Sequence, residues 1–226
     1  MMNIKIIACE VLRDELLAVS PRGISIKFMS FHLHNYPDLL RSELQSEINR
    51  STEYNCIILC YGNCGRGIIG LQVPDCTLVV PRVNDCIHLM FGCSADYHRE
   101  RKKEPGTFYL TKGWIERGSD AVKDYEKMCA RYGDRKAKLV TRETYKHYKR
   151  VALIDNGSYT ASDYLAYAEA LASFINADSL EILPGSLTMF YKMVHGDWDD
   201  SFRILERFTT VMPDDYISNV GTHRRC

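Results

Sequence analysis

Short apolar runs alternate along this chain with longer segments in which apolar residues recur every three or four positions. The apolar runs are rich in β-branched residues, as buried strands are, and lie at 3–8, 24–29, 54–60, 77–80, 150–154, 180–183 and 208–211. The segments with helical spacing lie at 11–19, 38–49, 85–91, 120–131, 134–148, 161–175 and 186–194. Because helices separate the strands, the pattern predicts a Rossmann-like α/β fold, with a mainly parallel sheet and helices on both faces.

One segment, residues 94–118, departs from this alternation. It combines a run of charged residues with Pro105-Gly106 and a short aromatic stretch. We interpret it as an excursion or lid, and a solvated charged surface is the alternative. The chain is otherwise predicted to form a single α/β domain, in which residues 1–93 and 119–226 are two candidate lobes.

The length and the charge balance limit the classes of partner. The chain has 226 residues, which suits one large domain, and its 46% of hydrophobic residues is typical of a globular protein. Lys and Arg total 29, as do Asp and Glu, so the formal net charge is +0. Nucleic acids and anionic membranes usually bind a surplus of basic residues. We therefore expect neither as a partner, and expect a small-molecule or metal ligand instead.

The chain contains nine cysteines, and their interpretation depends on the compartment. The N-terminal apolar run is too short for a signal peptide, and no uncharged apolar run reaches the roughly 18 residues of a membrane span. We therefore expect a cytoplasmic protein, in which thiols stay reduced. Cysteines in that setting are metal ligands, redox groups or small buried apolar residues.

Thiols and imidazoles follow the first four predicted strands. The residues concerned are Cys9, His32, His34, Cys60, Cys64 and Cys86. Because ligands of parallel sheets bind beyond the carboxyl ends of the strands, we expect these side chains at one edge of the sheet. Thiolate and imidazole are the ligands that tetrahedral zinc prefers, and thiolates also suit iron–sulfur clusters. The preferred metal ligands are Cys9, His34, Cys64 and Cys86, and the further candidates are Cys60 and His32.

A glycine-rich loop follows the third predicted strand. It contains a literal GxGxxG at Gly65, Gly67 and Gly70, but Pro74 follows too closely to leave room for the helix that a dinucleotide site requires. The glycines are instead expected to let the backbone approach a metal or ligand closely, and a guanidinium in the same loop could meet an anionic group. The residues expected to contact a substrate are Gly62, Gly65, Arg66, Gly67, Asp85 and Trp114.

Several longer segments form a combined pattern. They are Tyr61-Gly62-Asn63-Cys64-Gly65-Arg66-Gly67, Pro81-Arg82-Val83-Asn84-Asp85-Cys86-Ile87 and Gly113-Trp114, with weaker similarity at Cys9-Glu10-Val11-Leu12 and Leu33-His34-Asn35. In these segments the chain resembles domain of unknown function family 1638. The resemblance implies that the characteristic ligand-type positions are Cys9, His34, Cys64 and Cys86, the same set that follows from the strand ends. Asn84 stands where the family pattern has a histidine, and Cys60 where it has a small residue.

The resemblance also implies an association with corrinoid-dependent methyl-transfer systems, and three functional hypotheses are open. The first is a zinc-dependent methyl- or thiol-transferase of one-carbon metabolism, with a corrinoid protein or a methyltransferase as partner. The second is a non-catalytic accessory protein that carries a metal, a tetrapyrrole such as a corrinoid, or an iron–sulfur cluster. The third is a structural metal site. Because catalysis by zinc requires an open coordination position, which the sequence does not reveal, it does not decide whether the protein is an enzyme.

Overall fold

The computed structural model describes residues 3–216. Its strands are β1 (Ile4–Cys9), β2 (Ser25–Met29), β3 (Cys56–Cys60), β4 (Thr77–Pro81), β5 (Thr107–Leu110), β6 (Arg150–Asp155), β7 (Ser179–Pro184) and β8 (Phe202–Leu205). Its α-helices are α1 (Arg13–Val19), α2 (Pro37–Asn49), α3 (Cys86–Met90), α4 (Ser94–Lys103), α5 (Lys112–Arg117), α6 (Ala121–Tyr132), α7 (Asp134–Tyr145), α8 (Leu165–Ile175) and α9 (Thr188–His195). None of these helices is both long and apolar enough to cross a bilayer.

The first sheet has the strand order β2-β1-β3-β4-β8, in which the first four strands are parallel and β8 is antiparallel to β4. Its central strand β3 is buried along its whole length, as expected for a strand covered on both faces. β1 and β4 flank β3 on either side. The carboxyl ends of these three strands therefore lie side by side at one edge of the sheet.

The second sheet, of order β5-β6-β7, is parallel throughout. Its central strand β6 begins at Arg150, which is only 2% exposed. The guanidinium of Arg150 pairs with Glu100 of α4 and Glu181 of β7. Because a buried cation is tolerated only when it is paired, these two carboxylates fix α4 against the second sheet.

The two sheets confirm the predicted α/β fold with mainly parallel strands. The last predicted strand is wrong, because residues 208–211 contribute only an isolated bridge between Thr210 and Gln72, and β8 lies earlier, at Phe202–Leu205. Phe208 adopts a left-handed φ of 62°, which an extended strand does not accommodate.

Residues 94–118, predicted as an excursion or lid, form a helix, a strand and a second helix: α4, β5 and α5. β5 pairs with β6 in parallel, with Thr107 opposite Arg150 and Leu110 opposite Leu153. These residues therefore belong to the second sheet and its flanking helices. The charged run of this segment lies mainly on α4, where Arg99, Arg101, Lys102 and Lys103 are exposed.

Helix α5 joins the two sheets by packing on the segment that follows β1. A Cβ atom on Gly113 would lie 1.8 Å from the carbonyl oxygen of Val11, so only glycine permits this approach. Asp14 of α1 accepts hydrogen bonds from Lys112 Nζ and Arg117 Nη1, each at 2.7 Å. The residues that follow β5 thus lie beside those that follow β1.

Candidate functional site

The first sheet delivers three thiols from three neighbouring strands. Cys9 is the last residue of β1. Cys64 begins the 3₁₀ turn Cys64–Arg66, shortly after β3, and Cys86 is the first residue of α3, shortly after β4. The positions inferred from the strand ends thus lie at the same edge of the sheet.

Each of Cys64 and Cys86 is the strongest influence on the pKa of the other, and we refer to them as the thiol pair. The polar interaction with the Cys86 thiol favours a negative charge on the sulfur of Cys64, so the pKa of Cys64 lies below its ordinary value. The same interaction, together with burial, holds the pKa of Cys86 well above its ordinary value. The pair therefore favours a thiolate on Cys64 over one on Cys86.

Cys9 is the third thiol, and it lies close enough to both members of the thiol pair to interact with them electrostatically. It is 8% exposed, and burial raises its pKa to about 12. Cys9 is therefore protonated at neutral pH unless a cation binds beside it.

Cys60, a further candidate ligand, lies in the hydrophobic core. Its side chain is fully buried, and burial raises its pKa well above the ordinary value. Its electrostatic neighbours are Cys9 and Glu15. Cys60, at the end of β3, is therefore enclosed in the core, whereas Cys64 is only half-buried.

The histidines lie in a 3₁₀ turn, Phe31–Asn35, and not in an extended segment that continues β2. An extended chain would place His32 and His34 on the same face, whereas this turn leaves His32 exposed and His34 half-buried. His34 Nδ1 lies 2.5 Å from the carbonyl oxygen of Phe31, and its ring packs edge-on against Trp114 with centroids 5.5 Å apart. This arrangement fixes the His34 ring next to α5.

The turn that carries His34 also abuts the turn that carries Cys64. A Cβ atom on Gly65 would lie 3.8 Å from the carbonyl oxygen of His34. The four predicted ligands are therefore carried by neighbouring segments. Even so, residues 3–216 contain no group of three or more His, Cys, Asp or Glu side chains arranged to hold a metal ion.

The glycines of the loop serve close backbone packing. A Cβ atom on Gly62 would lie 2.5 Å from the backbone of Asp85, so the loop after β3 rests directly on the loop after β4. Gly67 packs in the same way on Leu40 of α2, at 2.7 Å from a hypothetical Cβ. No α-helix begins within the GxGxxG segment, whereas a dinucleotide-binding motif leads into one. Arg66 has a left-handed φ of 64° and an exposed side chain.

Asp85 anchors the start of α3, immediately before Cys86. Its Oδ1 accepts the backbone N–H of His88 at 2.9 Å, an N-terminal cap, and its Oδ2 accepts the Tyr97 hydroxyl at 2.7 Å. Arg101 lies 3.8 Å from the same carboxylate. The sequence placed Asp85 among the substrate contacts, whereas its observed hydrogen bonds hold the backbone that carries Cys86.

His88 completes this support. It is 2% exposed, stacks on Tyr97 with ring centroids 4.2 Å apart, and its Nε2 lies 2.9 Å from the Ser94 hydroxyl. Burial lowers the pKa of His88 to about 3, so its ring is neutral at physiological pH. Sequence reasoning missed Tyr97, and the only sequence signal was the spacing of Asp85 and His88, which is typical of a helix cap.

Three buried donors have no hydrogen-bond partner within the described residues: Tyr61 Oη and Tyr216 Oη near the thiols, and Trp114 Nε1 beside His34. Tyr61 and Tyr216 both interact electrostatically with Cys64. Leaving a buried donor without a partner costs about 1–3 kcal/mol. A thiolate, a water molecule or a ligand that accepts a hydrogen bond from one of these groups removes that cost. Sequence reasoning missed both tyrosines, because only burial makes them notable.

Comparison with known proteins identifies a family and nothing more specific. No curated protein and no solved structure matches the chain. Residues 28–194 match the family described as "Protein of unknown function (DUF1638)". That segment includes His34, Cys64 and Cys86, whereas Cys9 precedes it. Because the match covers well over half of the 226 residues, the chain belongs to the DUF1638 family.

Proposed function

We propose that the chain binds a soft metal ion, zinc in the first instance, at the edge of the first sheet. Cys64 and Cys86 are the central ligands, Cys9 is the third thiolate and His34 the fourth ligand. The mutual interaction of the Cys64 and Cys86 thiols, with Cys9 from the adjacent strand close to both, is the observation that carries the proposal. Thiolates gathered at one edge of a sheet favour zinc and other soft ions.

The surroundings of the sulfurs fit this chemistry. The unpartnered hydroxyls of Tyr61 and Tyr216 are suited to stabilise negative charge on the thiolates. The contact of His34 Nδ1 with the Phe31 carbonyl leaves Nε2 for a ligand, the arrangement usual for metal-binding histidines. Because no three candidate ligands are already arranged around one point, the Cys9 and His34 side chains must turn toward the thiol pair on binding.

The broader role that we propose is methyl or thiol transfer linked to corrinoids, in the cytoplasm, with a corrinoid protein or methyltransferase as partner. Four protein ligands close a tetrahedral zinc site, so transfer would require that one of them, Cys9 or His34, is displaced; the zinc would then supply Lewis acidity and hold a substrate thiol as its thiolate. The residues of this chain then have separate tasks: Cys64 and Cys86 hold the ion, Arg66 meets an anionic part of the substrate, and Trp114 covers the site. An accessory role in carrying a corrinoid or iron–sulfur cluster, and a purely structural metal, are the other outcomes of the test.

Anaerobic purification followed by metal analysis and an absorption spectrum tests the proposal. We expect one zinc ion per chain and no visible absorption. Cys64→Ser and Cys86→Ser should each lose the ion, whereas Cys129→Ser, on α6, should keep it. Broad visible absorption that disappears on oxidation would replace zinc by an iron–sulfur cluster, and absence of any metal from the unaltered protein would refute the proposal.

A second candidate function is a dithiol–disulfide exchange site, which the interaction of Cys64 with Cys86 and the lowered pKa of Cys64 favour. The Cys64 thiolate attacks a small disulfide such as oxidised glutathione and releases one thiol. The Cys86 sulfur then attacks the sulfur of Cys64, forms the protein disulfide and releases a second thiol. The two electrons and two protons lost by the protein reside in the two released thiols.

Mass spectrometry of the metal-free chain after treatment with oxidised glutathione distinguishes the two functions. Exchange chemistry predicts loss of two hydrogen masses and a peptide in which Cys64 is linked to Cys86. If the treated chain instead retains glutathione on Cys64 and no linkage forms, the exchange function is ruled out. Protection of both cysteines by added zinc would favour the metal site.

A further inference from the structure

A cavity of about 460 Å³ lies apart from the thiol site, between α7 and the C-terminal end of α8. Its volume is within the range of about 300–1,000 Å³ that small-molecule sites occupy. Four basic residues line it: Lys138, Arg142, Lys146 and Lys149. No carboxylate side chain is among its lining residues, so all charged groups that line the cavity are positive.

Two of these cations are already neutralised and two are available. Lys138 pairs with Asp134 at 2.9 Å, and Lys146 pairs with Glu143 at 2.6 Å. The side chains of Arg142 and Lys149 form no hydrogen bond or ion pair with any described residue, and both are exposed. The available charge thus comes from Arg142, on α7, and Lys149, just before β6.

Thr141 adds an unsatisfied polar group. It lines the cavity, is 5% exposed, and its hydroxyl has no hydrogen-bond partner in residues 3–216. A threonine inside a helix usually donates to the carbonyl one turn earlier, which this hydroxyl does not do. The helix dipole explains why cations lie near the C-terminus of α7. It does not explain why the buried Thr141 hydroxyl lacks a hydrogen-bond partner.

Apolar and aromatic side chains complete the lining of the cavity. Tyr145 of α7 and Ile175 of α8 are buried, and Phe174 of α8 packs edge-on against Tyr125 with centroids 5.4 Å apart. The Tyr145 hydroxyl donates to Asp124 at 2.9 Å, so its donor is already used. These side chains offer apolar surface to a flat or aliphatic body.

We propose that this cavity binds a small organic anion whose phosphate or carboxylate group meets Arg142 and Lys149 and whose apolar body lies against Phe174 and Ile175. The Thr141 hydroxyl donates to an oxygen of the anionic group, which satisfies the buried donor. The cavity contains none of the cysteines, so a negative result at either site leaves the proposal for the other unchanged.

Calorimetric titration of the full chain with four probes tests this site. Phenyl phosphate and phenylacetate carry both an anion and an apolar ring, inorganic phosphate carries only the charge, and benzyl alcohol only the ring. We expect one of the two aromatic anions to bind about tenfold or more tightly than either single-feature probe. Which of them binds more tightly identifies the anionic group. Equal binding of inorganic phosphate, or no binding by either aromatic anion, overturns the proposal.

Variants locate the binding in the cavity. Arg142→Gln and Lys149→Gln should each weaken the tighter probe by about tenfold, since each removes a charge-assisted contact. Thr141→Val, which replaces the hydroxyl by a methyl group, should weaken it without loss of folding. The matched control is Lys102→Gln, an exposed lysine on α4 outside the cavity. Binding that is unchanged in the cavity variants, or weakened equally in the control, contradicts the assignment.

Discussion

The Cys86 thiol lowers the pKa of Cys64 while Cys64 raises the pKa of Cys86, and this interaction joins the segments that follow β3 and β4. It makes two residues of the same type chemically different, because Cys86 is held as a thiol and Cys64 is favoured as a thiolate. The interaction depends on the glycine packing between the two segments, where Gly62 lies against the backbone of Asp85.

The first prediction concerns the reactivity of the thiol pair in metal-free protein. Iodoacetamide should modify Cys64 before Cys86 at neutral pH, because the thiolate is the nucleophile and the pKa of Cys64 is the lowered one. Cys86→Ala should raise the pKa of Cys64 and slow its alkylation, whereas Cys86→Ser keeps a donor and should slow it less. Peptide mass spectrometry over a range of pH measures both rates. Faster modification of Cys86 would contradict the assigned thiolate.

The second prediction concerns Gly62. Gly62→Ala places a Cβ atom 2.5 Å from the backbone of Asp85, so one of the two loops must move. We expect a loss of about 1–3 kcal/mol in the free energy of unfolding, together with loss of bound metal and of the difference in reactivity between the two thiols. Urea denaturation and metal analysis measure these effects.

Gly23→Ala is the control for that experiment. Gly23 has a left-handed φ of 87° and no atom within 4 Å of a hypothetical Cβ. The substitution should therefore lower stability only through backbone strain and leave metal content and thiol reactivity unchanged. Equal loss of metal in the two variants would argue against the Gly62 contact.

The third prediction concerns Asp14, which links α1 to α5. Burial raises the pKa of Asp14, but hydrogen bonds from Lys112 and Arg117 outweigh it, so the pKa lies below the ordinary 3.8. The stability that the ionised Asp14 contributes is therefore present above pH 3.8 and is lost as the pH falls through the lowered pKa. Asp14→Asn should cost about 1 kcal/mol at pH 7, and the difference from the unaltered chain should shrink in acid. Urea denaturation of both proteins at pH 7 and at acidic pH measures whether the difference in stability shrinks in acid.

The fourth prediction concerns the adjacent Glu15, for which the pH dependence is reversed. Glu15 is fully buried, and burial raises its pKa above the ordinary 4.5 despite hydrogen bonds from Asn156 and Ser158. The stability that the protonated Glu15 contributes is fully present below pH 4.5 and is lost as the pH rises through the raised pKa. Glu15→Gln should match the unaltered chain in acid and exceed its stability at neutral pH. A less stable Glu15→Gln at pH 7 would show that the buried carboxylate has a partner that compensates its charge.

Most of the secondary structure was predictable, because apolar periodicity reflects which face of a local element is buried. β5 was not, because its four residues lie between a charged helix and a short helix and acquire strand character only by pairing with β6. The positions of Cys9, Cys64 and Cys86 at neighbouring strand ends followed from strand order. The environment of His34 did not follow, because a 3₁₀ turn replaces the extended segment.

The sequence by itself determined that strands and helices alternate and that Cys9, Cys64 and Cys86 follow strands of a mainly parallel sheet, because both depend on local periodicity and on the rules of parallel sheets. Only the tertiary structure decided that Cys64 interacts with Cys86 while Cys60 enters the core, and that α7 and α8 enclose a basic cavity. These features depend on close approaches between residues far apart in sequence. The approaches of Gly62 to Asp85 and of Gly113 to Val11 are examples, and no local pattern specifies them.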